Sequence, residues 1–149
     1  MALEDILVGV APEDEGLVDE LAAFVADVAG PAGARAVLLR VFTDEEYEDT
    51  LDRIGAGSRA DVSPDEAAGR YTAVRTVRAA LEERGIDTAV RGRVGDHAEG
   101  IVAAAEEFDA DLVVVGGRER SPAGKAVFGS TAQAVMLNAP CPVAFVRRG

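Results

Sequence analysis

The sequence is short of cations, of sulfur and of long apolar runs, and each shortage excludes something. Lys125 is the only lysine, and 15 basic residues face 27 acidic ones, for a net charge of −12 over 149 residues. The isoelectric point falls near 4.4. A surface of that sign repels nucleic acid and anionic lipid through its overall field, so no nucleic-acid and no membrane partner is expected. Cys141 is the one cysteine, which excludes an internal disulfide scaffold and agrees with a reducing compartment. His97 is the one histidine, and no Cys/His grouping has zinc-ligand spacing. No apolar run approaches the ~18 residues of a membrane span. Met1-Ala-Leu-Glu-Asp5 has no basic segment ahead of an apolar one, so it does not read as a secretory signal. A cytoplasmic location is the expectation.

What is present is ordinary for a globular chain: 48% apolar and 28% charged residues. The length predicts one domain over residues 1–149, able to bury roughly 68–70% of its unfolded surface. Acid excess, near-absence of lysine and abundance of alanine and valine together suggest adaptation to high salt, a halophilic character. A GC-rich coding bias accounts for the missing lysine but not for the excess of acid.

Short apolar segments alternate with amphipathic ones. Asp5–Val10, Arg35–Phe42, Asp87–Val94, Asp111–Gly116 and Val143–Val146 read as strands, with Asp111–Gly116 the most hydrophobic and therefore central. Arg91 and Arg93 move the third of them toward a sheet edge. Leu17, Leu21, Phe24, Val25 and Val28 share one helical face between Gly16 and Gly30, and Gly30-Pro31 is expected to stop that helix. Thr43–Val62 is polar and reads as a long loop or a loop with a short helix. Ser63-Pro-Asp-Glu66 is a strong helix start, with Tyr71, Val74, Val77 and Leu81 as its stripe and Gly85 as its end. Asp96-His-Ala-Glu99 is a second capping box. Gly129-Ser-Thr-Ala-Gln133 opens the last helix, with Ser130 as the expected cap and Val135 and Met136 on its buried side. This alternation predicts an α/β fold: a single doubly wound domain with a five-stranded parallel sheet and helices on both faces. Ligands in such sheets bind beyond the carboxyl ends of the strands, where strand order reverses.

The stretch from Gly116 to Thr131 carries the chemistry. It leaves a central strand and enters a helix N-terminus, where open amides and the helix dipole favour an anion. Ser130 and Thr131 add hydroxyls, and Arg118, Arg120 and Lys125 put three cations within eight residues. It is not a Walker loop, since Ala126 follows Gly124-Lys125 and Glu119 stands where the opening glycine would be. The bland reading is a solvated loop leading to a capped helix. Enzymatic signals are thin. His97 reads as a solvated residue beside its cap, Cys141 between two prolines as a packed thiol, and the acidic runs as solvated faces. Asp14 stands near the mouth of the expected pocket, where a carboxylate can hold magnesium through water.

The stretch resembles the nucleotide-binding pattern of the universal stress protein family: glycine, two residues, glycine, nine residues, glycine, then serine or threonine. Gly116, the spacer Arg120–Phe128 and Gly129-Ser130 match it, while Glu119 replaces the second glycine. Ile6–Val10, Leu38–Phe42, Asp111–Gly116 and Ala139-Pro-Cys-Pro-Val143 are similar to the family's strands and to its approach to the last one. The resemblance implies strand order 3-2-1-4-5 and a non-enzymatic stress-response homodimer joined through Val143–Val146. It implies an adenine nucleotide, ATP or AMP with or without Mg2+, between strands one and four. Val10 and Val41 fall on the adenine side, and Gly116, Gly117, Gly129, Ser130 and Thr131 around ribose and phosphates, with Val115 and Arg118 beside them. Ala11 stands where ATP-binding members carry an aspartate. Two other readings stay open: a dimeric interaction module that has lost nucleotide, on the strength of Ala11 and Glu119, and a slow ATP hydrolase.

Overall fold

A computed structural model describes residues 2–55, 62–117 and 129–147. Five strands, β1 (Asp5–Gly9), β2 (Arg35–Phe42), β3 (Thr88–Val94), β4 (Leu112–Gly116) and β5 (Val143–Val146), form one parallel sheet in the order β3-β2-β1-β4-β5. Val8 pairs with Leu38 on one side and Val114 on the other, which puts β1 at the centre. The chain walks outward from β1 to β3 and then returns to the other side of β1 as β4. The order therefore reverses between β1 and β4.

Side chains alternate along each strand, so the two faces carry separate cores. Ile6, Val8, Leu38 and Val114 pack against Leu21, Val25, Val74 and Leu81 of α1 (Val18–Ala32) and α4 (Thr72–Glu83). Leu7, Val37, Leu39 and Val113 pack against Ile101, Ala104 and Val135 of α5 (His97–Glu107) and α6 (Ser130–Asn138). A third cluster joins Phe42 to Tyr47 and Leu51 of α2 (Asp44–Arg53) and to Ala67 and Ala68 of α3 (Pro64–Gly69). No helix among the described residues is long and apolar enough to cross a membrane.

Local expectations for α1, α3–α4 and α6 are corrected, and the one for the stretch after Thr43 is made specific. Helix α1 begins after a 3₁₀ segment, Pro12–Leu17, and does not stop at Gly30-Pro31. It runs on to Ala32 because Gly33, at φ 68°, turns left-handed and Ala34 N–H reaches back to the Ala29 carbonyl at 3.0 Å. The stretch after Thr43, expected as a long loop or a loop with a short helix, holds helix α2, started by a reciprocal box in which Glu46 N–H donates to Thr43 and Thr43 N–H to Glu46. The helix expected from Ser63 to Gly85 breaks at Arg70-Tyr71 into α3 and α4. In α6 the N-cap position belongs to Gly129, so Ser130 is already helical, and Met136 is exposed rather than buried.

Candidate functional site

A cleft opens at the carboxyl ends of β1 and β4, where the strand order reverses. Its space, counted out to the open mouth and the solvent there, is about 770 Å³. Val10, Ala11, Val41, Val115, Gly116, Gly117, Gly129, Ser130 and Thr131, nine residues that sequence reading assigns to a nucleotide, all line it. The tenth, Arg118, lies outside the described residues, as do Glu119, Arg120 and Lys125. The walls are apolar, from Val10, Leu39, Val41, Ile101 and Val115. Asp14, Ser130 and Thr131 lie toward β4 and α6, and Arg40 and His97 toward β2 and α5.

Each polar feature has a local cause. The 3₁₀ segment folds the acidic run back on itself, with Asp14 N–H donating to the Ala11 carbonyl at 2.9 Å. The Asp14 carboxylate then accepts the Ala11 N–H at 2.8 Å and is only 4% exposed. It lies close against Gly116, where a Cβ would collide with it. A Cβ on Gly117 would run into the Phe145 ring. These two glycines let β4 bring its backbone to the cleft while Asp14 and Phe145 close in from either side. At α6 the Gly129 N-cap carries no side-chain acceptor, so the first amides of the helix remain open toward the cleft.

On the opposite wall, Asp96 accepts the Glu99 N–H at 3.0 Å and starts α5 with His97 at the cleft. His97 Nε2 lies 2.6 Å from Glu46 Oε1. Partial burial by itself would raise the Glu46 carboxyl. The Thr43 N–H, His97 and the Arg40 charge outweigh it, and the carboxyl sits below its ordinary value. Cys141 is half-buried; burial, and then the Asp111 charge, push its thiol up, which disfavours the thiolate. No group of three or more metal-ligating side chains occurs among the described residues.

Sequence reading missed Leu39, Arg40, His97 and Ile101 as lining residues and placed Asp14 at the mouth rather than in the wall. A charged Arg40 inside the apolar run Val37–Phe42 was a readable signal. The burial of Asp14 was not, because it depends on a turn that brings residue 14 back to residue 11.

The model of the Universal stress protein family matches residues 3–147. A universal stress protein of Mycolicibacterium smegmatis is 33% identical over 120 residues, which cover 80% of this chain and 92% of the relative. A universal stress protein structure from Archaeoglobus fulgidus is 26% identical, with a TM-score of 0.66 and coverage of 96% of this chain and 98% of that one. Another structure from the same organism, a complex with dAMP, is 23% identical, with a TM-score of 0.62 and coverage of 98% and 99%. This chain belongs to the universal stress protein family.

Proposed function

We propose that the cleft between β1 and β4 binds an adenine nucleotide, AMP or ATP, and that the protein acts as a non-enzymatic, nucleotide-responsive dimer of the cytoplasm, built as one domain over residues 1–149. The observation that carries the reading is the meeting of three complementary surfaces in one cleft. Apolar Val10, Val41 and Ile101 suit a base. The buried Asp14 carboxylate is a pure acceptor and asks for hydroxyl donors, which a ribose diol supplies. The open amides of α6, with Ser130 and Thr131, suit phosphate. The family structure that holds dAMP supports the ligand class. Asp14 is the one carboxylate in the described lining and already takes an amide. Magnesium would therefore arrive with ATP phosphates rather than reside in the site.

The dimer reading rests on the β5 edge. All four residues of β5 are half-buried in the isolated chain, and Met136 and Leu137 of the neighbouring α6 are exposed, Leu137 by 83%. An uncovered apolar edge invites pairing with a second copy. Light scattering across micromolar concentrations should give twice the 15.5 kDa mass, and Val143→Asp should return the monomer. A monomeric wild type would remove this part of the reading.

Mass spectrometry of the denatured, freshly purified protein tests the ligand. Released AMP or ATP, with calorimetric binding of added nucleotide, is the expected result. Absence of released nucleotide, of heat and of thermal shift at millimolar ATP would leave the interaction module, which Ala11 at the family's aspartate position favours.

A further inference from the structure

A second cavity lies at the carboxyl end of β2, between α2 and the start of α4, with about 1050 Å³ of space counted to its mouth. Its floor is Arg40, 3% exposed. The guanidinium lies 4.6 Å from the Phe42 ring centre and 5.0 Å from that of Tyr71. One Nη1–H donates to the Val41 carbonyl. The carboxylate paired with it, Glu46 Oε2, is 3.7 Å from Nη2, too far for a hydrogen bond, and Nε has no partner. A guanidinium has five N–H donors, and burying it with most of them unspent is costly. Glu46 leaves the deficit in place: its Oε1 serves the Thr43 N–H and His97, and its Oε2 stops short of Nη2.

Two features face the same space. Helix α4 begins there, and its N-cap residue, Tyr71, supplies no side-chain acceptor, so the first amides and the positive end of the dipole are open. Arg53 and Arg70 stand at the rim, opposed by the exposed carboxylates of Glu15 and Asp49. Those carboxylates limit how much negative charge the cavity accepts. We propose that this cavity, which shares Arg40 with the wall of the β1/β4 cleft, is a second binding site for a small molecule bearing a single oxyanion group, which docks on Arg40 and the α4 N-terminus. Polyphosphates are disfavoured by the rim.

The test is an NMR titration of the full chain with inorganic phosphate, and separately with acetate, at constant ionic strength. Saturable shifts of the Arg40 side-chain Nε–H and of the Thr72 and Ala73 amides are expected with at least one probe. A response to phosphate alone makes the ligand a phosphoryl compound; an equal response to acetate makes it a carboxylate. Arg70→Gln, exposed and therefore safe for folding, should weaken the response about tenfold. Arg40→Gln should abolish it if the variant folds. Shifts confined to Gly129–Thr131 would put the anion in the first cleft and overturn the proposal, as would the absence of saturable shifts with both probes. Thr72 lines the second cavity and not the first, so its amide separates the two sites whether or not the first cleft takes a nucleotide.

Discussion

The Asp14 carboxylate is held between the Ala11 amide and the Gly116 backbone, so its position is fixed before any ligand arrives. Asp14→Asn keeps the shape and an acceptor for Ala11 but removes the charge. Nucleotide affinity should fall about tenfold, the value of one charge-assisted hydrogen bond to a ribose hydroxyl, with little change in melting temperature. Unchanged affinity by calorimetry would mean that the carboxylate is structural. Glu46 gives a second residue-scale test, through pH. Its folded pKa lies below the ordinary 4.5, so the contacts that depress it stabilise the protein fully above that value. Their contribution is lost as the pH falls through the depressed value. Glu46→Gln cannot titrate, so urea midpoints measured from pH ~6 down to ~3 should fall less steeply than in wild type. Parallel curves would count against the network of Thr43, His97 and Arg40 as the cause.

Elements explain what could be read in advance and what could not. The strands were legible because a buried parallel sheet demands continuous apolar runs, and Ile6–Val8, Val37–Leu39 and Val113–Val115 have no other use. The N-caps at Ser63 and Asp96 were equally plain, since the side chain that accepts the amide is written three residues before it. The box at Thr43 was overlooked because the helix it starts shows almost no apolar stripe: of its residues only Tyr47 and Leu51 are buried. The break between α3 and α4 was hidden for the opposite reason. Residues 64–83 carry an unbroken helical pattern, while α3 is pinned separately onto β3. Gly92 is the reason it can be: its N–H donates to Asp65 at 2.8 Å, and a Cβ there would strike the Pro64 carbonyl. Gly92→Ala should therefore push α3 off the sheet edge and cost about 1–3 kcal/mol, read from a denaturation midpoint. A loss well under that would show that α3 can slide without penalty. The cleft was legible as a set of glycines and a helix start. The burial of Asp14 and the approach of His97 to Glu46 were not, because each depends on a turn or a crossing of elements that the linear order conceals.

At the scale of the whole molecule, 27 acidic residues against 15 basic ones must be accommodated in one compact body. Four arginines, Arg35, Arg78, Arg84 and Arg93, form ion pairs with Asp5, Glu82, Asp27 and Glu107. These pairs are largely exposed, each contributes roughly 0–1 kcal/mol, and salt weakens them. Salt also screens the mutual repulsion of the twelve uncompensated negative charges, down to a range of roughly 3 Å at 1 M. The two effects oppose each other. Attraction is confined to a few contacts that are weak to begin with, whereas repulsion acts between every pair of acids within a Debye length and is relieved on unfolding as the chain expands. Screening should therefore stabilise the folded state, and the thermal midpoint should climb steadily from low to molar potassium chloride. The proper control is a variant in which several exposed acids outside the ion pairs, such as Glu45, Asp49 and Glu106, become glutamine. It should melt higher than wild type at low salt and respond less to added salt. A midpoint that stays flat or falls with potassium chloride in the wild type would mean that the acid excess carries no stability cost. The scarcity of lysine would then reflect coding bias alone.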